Sequence, residues 1–241
     1  MYKVLLWDID GTILDFQASE REGMRACFSH FSLGPLSDEM LKTYSSINHR
    51  FWQALERGEM SKQEILIGRF QAFFHLMGIN EQLAEAFNRE YQLRLGDTVY
   101  FLDHAYALLS QLQGKYVQCA VTNGTRLAQE RKLKKSGLDH IFDHIFISED
   151  LGFEKPNPGF FDVVFRRLPA YRKQEYLIIG DSLTSDMQGG VNAGIPCCWF
   201  NPNRLPNLQH VPIDHEIQSL DELPALLSAS FPTALSPHRI L

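Results

Sequence analysis

Apolar positions along the chain fall into two patterns. In five places they form short unbroken runs that stop on small or polar residues: "KVLLW" (Lys3 to Trp7), Tyr116 to Gly124, His144 to Asp150, Glu175 to Ser182 and Ile195 to Asn201. Runs this short and this uniformly apolar predict strands buried on both faces. Elsewhere the apolar residues recur at helical spacing. Helices are predicted over 103–112, 126–136, 159–168 and 185–193, alternating with the runs in the manner of a parallel α/β sheet and its crossover helices.

Between the first run and the second the alternation breaks. From Ala18 to Leu95 only helical periodicity is found, over 18–31, 39–57, 62–77 and 81–95. "LGPLSDE" and "GINEQ" supply the turns, and Ser61 with Glu64 has the spacing of a capping box. One crossover needs far less helix than this. The predicted fold is therefore a doubly wound, Rossmann-like α/β parallel sheet with an inserted all-helical domain. The core takes residues 1–15 and 97–230, the helical insertion 16–96, and hinges fall near 14–18 and 96–101. The last stretch, 231–241, has two prolines and no periodicity and is expected to be a loosely held tail.

The first run ends abruptly on two carboxylates, Asp8 and Asp10, with Gly11 and Thr12 directly behind. Residues two apart in a strand project to the same side, so these two acids are expected as near neighbours. Two anions held that close repel unless one keeps its proton or a cation stands between them. In open parallel sheets ligands bind beyond the carboxyl ends of the strands. Asp8 and Asp10 should thus share one crevice with the tips Thr122-Asn123-Gly124 and Gly180-Asp181-Ser182.

Composition narrows the partners. The net charge of −6 argues against a nucleic-acid polymer, which needs a basic face, but leaves room for a small anion held by a local cation. Cys27, Cys119, Cys197 and Cys198 show no metal-binding spacing and three lie in apolar runs, so buried reduced thiols and a cytoplasmic protein are expected. Only about five apolar residues precede Asp8, fewer than the ~7–15 of a secretory signal, and no run approaches the ~20 residues of a membrane span.

Collected in order, the polar tips read "DIDGT" at 8–12, "TNG" at 122–124, "EKPNP" at 154–158 and "GDSLTSD" at 180–186. These four pieces, on these strand ends, resemble the four motifs of the haloacid dehalogenase (HAD) superfamily, and the insertion resembles the helical C1-type cap of its phosphatase branch. The resemblance implies a phosphoric monoester hydrolase. Asp8 is then the nucleophile. A carboxylate with a reference pKa near ~4 is already ionised at neutral pH and needs no base to attack phosphorus, giving an aspartyl-phosphate. Asp10 is the general acid and then the base; the resemblance reserves an Asp here for phosphatases as against dehalogenases.

Hard oxygen donors and a phosphate ligand suit Mg²⁺. The resemblance assigns it Asp8, Asp181 and the backbone carbonyl of Asp10, with Asp186 steadying its water shell. Thr122, Asn123 and Gly124 form an anion cradle at a helix start, and Lys155, stiffened by Pro156 and Pro158, faces the phosphoryl oxygens.

For the substrate, "DIDGTILDFQASE" and "GDSLTSDMQGGVNAGIPCCWFNP" look most like bacterial pyrimidine 5′-nucleotidases, which implies a nucleoside monophosphate and suggests Phe16 as a face for the base. Other readings of the same core are a phosphatase for phosphoglycolate or a sugar phosphate, and a phosphomutase. A receiver-like phosphoacceptor module is the reading from another class; its acceptor should end a later strand and no helical domain should interrupt it. A monomer or homodimer is expected.

Overall fold

The structure is a computed structural model that describes residues 1–229, so the expected tail lies outside the described residues. Six parallel strands form one sheet in the order β3-β2-β1-β4-β5-β6. They are β1 (Val4–Trp7), β2 (Val117–Thr122), β3 (His144–Ile147), β4 (Tyr176–Gly180), β5 (Cys197–Phe200) and β6 (His215–Ile217). The first five are the five apolar runs.

Among the described residues, ten α-helices accompany the strands: α1 (Phe16–His30), α2 (Asp38–Glu56), α3 (Lys62–Met77), α4 (Ala84–Asp97), α5 (Ala105–Leu112), α6 (Arg126–Ser136), α7 (Ser148–Leu151), α8 (Pro158–Arg167), α9 (Gln188–Ala193) and α10 (Leu223–Ala229). Both faces of the sheet are covered. Leu5, Trp7, Leu177, Ile179 and Cys198 point to one side, against apolar residues of α5, α6 and α10. Val4, Leu6, Cys119, Tyr176, Ile178 and Cys197 point to the other, against Phe160, Phe161 and Val164 of α8. The neighbours Cys197 and Cys198 thus face opposite ways, and all four cysteines are free and buried. Each large apolar side chain so buried contributes about 1.5–3 kcal/mol.

Beyond shifts of a few residues at helix ends, two element limits and one strand differ from the sequence reading. The third run was expected to stay extended to Asp150, but the strand stops at Ile147 and Ser148–Leu151 coil into α7. The polar residues there have partners off the sheet: Ser148 accepts a bond from Lys62, and Glu149 accepts the Arg126 N–H at the start of α6. The helix expected from Ser185 begins earlier, as a π-helical turn over Leu183–Met187. Strand β6 carries no apolar run and was not anticipated.

Helices α1–α4 surround an aromatic core of their own, including Phe28, Tyr44, Phe70, Phe73, Phe87 and Tyr91. Tyr44 and Phe70 stack with centroids 5.1 Å apart. Local signals set the helix starts: Asp15 accepts from the Ala18 N–H at α1, and Ser61 and Glu64 form the expected capping box at α3. The bundle is tied to the sheet's helices by α4, which packs along α6. Ala128 of α6 joins the aromatic core, and Thr125 donates to Gln92 Oε1 at 2.7 Å. The outgoing and returning chains run side by side, with the Asp15 N–H on Tyr100 O at 2.8 Å and the Leu102 N–H on Ile13 O at 2.9 Å.

Candidate active site

All the polar tips meet at the carboxyl ends of β1, β2 and β4. Asp8 follows β1 and stays tied to β4 through its N–H to Ile179 O. The Lys155 ammonium, only 1% exposed, donates to Asp8 Oδ1 at 2.8 Å, to Asp186 Oδ1 at 2.6 Å and to Val121 O at 2.7 Å. Asn123 braces that lysine: its Oδ1 accepts the Lys155 N–H and its Nδ2 donates to Lys155 O, both at 2.8 Å. The Asn123 side chain is thereby committed to the loop rather than to an incoming anion. Thr122 Oγ1 accepts the Gly124 N–H at 3.0 Å, which leaves its own hydroxyl hydrogen to donate.

Opposite Lys155, the buried Thr12 hydroxyl sits 3.4 Å from Asp8 Oδ2 and 3.3 Å from Asp181 Oδ1. Gly11 lets the chain pass close by: its φ is +98°, and a Cβ there would meet Asp181 Oδ2 at 2.5 Å. The indole N–H of Trp199 holds Asp181 O. In the π-helical turn, the Asp186 Oδ2 accepts the Ser182 N–H at 3.1 Å while its other oxygen takes Lys155.

Asp10 departs from expectation. It lies beyond the strand, in a bridge with Leu14. It ion-pairs with Lys132, which is fully buried, and accepts from Gln129 Nε2 at 2.6 Å. Much of the repulsion expected between the two acids is thus relieved by a lysine of α6. Gly124 is what allows this, because a Cβ on it would fall 2.2 Å from Gln129 Nε2.

The remaining charge is poorly balanced. Asp8, Asp181 and Asp186 each bring a carboxylate oxygen within 4.8 Å of the others, against the single ammonium of Lys155. Burial would depress that ammonium, but Asp186 and Asp8 outweigh it and its pKa is raised. Burial pushes Asp8 well above the usual carboxylate range; Lys155 opposes this, and Asp186 and Asp181 add to it. Asp181 is reached by solvent at the mouth yet stands deep among protein atoms, and burial with Asp186 beside it raises its pKa to about 7.

Burial thus works against the ionised form of Asp8 that the sequence reading assumed, and the Lys155 ammonium at 2.8 Å works for it. A divalent cation bound among these carboxylates would supply the missing charge, and an all-oxygen set fits Mg²⁺. Asp8 and Asp181 are placed to hold it, with Asp186 behind them on Lys155.

Beside these carboxylates opens a cavity of about 600 Å³, lined by Asp10 and Asp181 below and by Phe16, Glu20, Asn48 and Trp52 of the inserted helices above. The Lys132 ammonium lies 5.6 Å from the Phe16 ring centre. Two further contacts close the helices over the site. Glu56, at the end of α2, accepts from Thr184 Oγ1 at 2.5 Å, and Lys62 donates to Ser148 Oγ at 2.5 Å. Burial raises Glu56 to about 7; Thr184 opposes the shift and Asp186 reinforces it. The sequence reading missed Gln129, Lys132, Glu56 and Lys62. Gln129 and Lys132 share one face of α6 by their i, i+3 spacing, and that was their only signal.

Comparison with known proteins agrees with this geometry. Residues 5–200 match the family model for haloacid dehalogenase-like hydrolases. HAD-hydrolase YfnB of Bacillus subtilis is 39% identical over 94% of this chain and 96% of its own. Its magnesium-bound crystal structure superposes with a TM-score of 0.88, over 94% of this chain and 98% of that one. Pyrimidine 5′-nucleotidase PynA of Streptococcus pneumoniae is 34% identical over 92% of this chain and 93% of its own. Pyrimidine 5′-nucleotidase YjjG of Escherichia coli is 27% identical over 92% and 96%. With a family match across most of its length and close relatives covered almost end to end, the chain belongs to the haloacid dehalogenase-like hydrolases and is a phosphoric monoester hydrolase.

Proposed function

We propose that the protein is a Mg²⁺-dependent 5′-nucleotidase that hydrolyses pyrimidine nucleoside monophosphates through an aspartyl-phosphate on Asp8. The observation that carries the proposal is the meeting of Asp8, Lys155 and Asp181 beside a cavity that has room for more than a phosphate and an aromatic ring, Phe16, in its wall. Similarity to PynA and YjjG supports the choice of pyrimidine nucleotides.

An Asp8 carboxylate oxygen would form a bond to phosphorus as the ester P–O bond breaks, and the departing 5′-oxygen would take a proton from Asp10, which has to acquire it first because its carboxylate is paired with Lys132. A water would then attack the phosphorus of the aspartyl-phosphate, giving its proton to Asp10 and releasing phosphate. Lys155, already bonded to Asp8, would face the phosphoryl oxygens, where positive charge counts most in the transition state. The Thr122 hydroxyl and the backbone N–H groups at Asn123 and Gly124 complete the cradle, although the Gly124 N–H must first release Thr122. Held by Asp8, Asp181 and the Asp10 carbonyl, Mg²⁺ would neutralise charge on the phosphoryl group. Phe16, beside Asp10 in the cavity, would stack on the base.

Phosphate release from UMP, dUMP, dTMP, phosphoglycolate and sugar phosphates, with Mg²⁺ and with chelator, tests this reading. The pyrimidine nucleotides are expected to turn over fastest, with activity lost in chelator. Faster turnover of the sugar phosphates would sink the nucleotidase assignment while leaving the phosphatase chemistry standing.

A further inference from the structure

A buried polar chain crosses the inserted helices and ends at the cavity. Arg69 of α3, 1% exposed, donates to Asn48 Oδ1 at 2.8 Å and to Asn88 Oδ1 at 3.0 Å. Asn48 of α2 passes the contact on, its Nδ2 donating to Glu20 Oε1 of α1 at 3.0 Å. Glu20 Oε2 accepts from the Ser45 hydroxyl. Glu20 and Asn48 are each 4% exposed, and both line the cavity together with Ser45.

This arrangement is a poor one for stability alone. A buried carboxylate and a buried guanidinium gain most by direct, bidentate contact, yet here an asparagine stands between them. Desolvation raises the pKa of Glu20, with Ser45, Asn48 and Arg69 opposing it. Two hydrogen bonds also leave a carboxylate about half of its accepting capacity. What the geometry offers the cavity is an acceptor flanked by an amide and a hydroxyl, held rigid from behind by Arg69. Phe16 stands one helical turn before Glu20 and Trp52 one turn after Asn48, both in the cavity wall.

Resting on the nucleotidase reading above, we propose that Glu20 determines base specificity by accepting the ring N3–H of uracil or thymine, with the second N–H of the Asn48 amide left to donate to a flanking carbonyl. Cytosine offers a bare N3 lone pair at that position, which a carboxylate repels. A site built to take a donor rejects the analogue lacking it more strongly than apolar contacts can.

The test is a cycle of substrates and variants: UMP, CMP and N3-methyl-UMP against wild type and Glu20→Gln, with p-nitrophenyl phosphate as the internal reference in every assay. Wild type is expected to favour UMP over both analogues by about tenfold or more in kcat/KM. Glu20→Gln is expected to bring the three within about threefold of one another, through a higher KM for UMP rather than a lower kcat. A variant that keeps the wild-type UMP to CMP ratio overturns the proposal. So does wild type that handles UMP and N3-methyl-UMP equally, a result that needs no folded variant. Failure of the nucleotidase reading looks different, because wild type would then prefer non-nucleotide phosphates throughout.

Discussion

Asp181 holds the balance of charge at the mouth of the site. Its pKa of about 7 means that below pH 7 the free protein carries a proton there, which an incoming cation has to displace. Affinity for Mg²⁺ should fall as pH drops through 7, by up to about tenfold per unit for one released proton. Calorimetric titration at about pH 6 and pH 8, in buffers of differing ionisation enthalpy, reads both the affinity and the proton; equal affinity at both would contradict the assignment. Lys132 is the second residue with a definite expectation. Lys132→Met keeps most of the stem volume and removes the charge paired with Asp10. We expect kcat to drop by about tenfold or more, up to the ~10²–10⁴ attributed to an acid/base group, with KM changing little. Steady-state kinetics decides, and an unaltered kcat would make the pair a packing feature.

The legibility of these residues divides on physical grounds. Asp8 and Asp181 stand directly after strands, where topology brings them together, and Lys155, in the loop beyond α7, is legible through the "EKPNP" stretch that carries it. Lys132 and Glu56 reach the site only after α6 and α2 have docked, and nothing local distinguishes them from any other charge on a helix.

Among the elements, long periodic segments and unbroken apolar runs are readable, and mixed or irregular stretches are not. Residues 62–77 and 126–136 form helices with the predicted limits, because Ser61 and Thr125 cap their starts and Gly78 and Gly137 end them in the left-handed conformation. Strand β6 is three residues long, and one of its members, Glu216, is exposed; its pairing to β5 makes it a strand, not its composition. The π-helical turn after β4 is similarly invisible, yet it is what carries Asp186 back onto Lys155. The turn after β1 depends on Gly11 in both conformation and space. Gly11→Ala should lower stability by about 1–3 kcal/mol and weaken Mg²⁺ binding by displacing Asp181. Thermal melts with and without Mg²⁺ measure the two effects separately, and a variant that melts like wild type and gains as much from Mg²⁺ would refute the steric account.

At the scale of the whole molecule, the helical insertion meets the sheet domain in two unequal ways. On one side α4 lies along α6 in an apolar and hydrogen-bonded seam. On the other, close to the chemistry, single polar contacts such as Glu56 to Thr184 and Lys62 to Ser148 hold it shut. Such contacts break more readily than a packed seam, so Glu56→Ala should ease opening there. The expected outcome is a KM several-fold higher with kcat kept, or raised where product release limits turnover; unchanged KM would show that Glu56 does not hold the site closed. No helix among the described residues is long and apolar enough to cross a membrane.

The stitching of Asp15 to Tyr100 and of Ile13 to Leu102 has a consequence for the history of such a chain. Departure and return share a single doorway, so an exchanged bundle would join the hydrolytic half at one place and would have to rebuild only the seam along α6. A foreign bundle spliced between those two anchors would inherit a working phosphate-cleaving engine and contribute only a new taste in substrates.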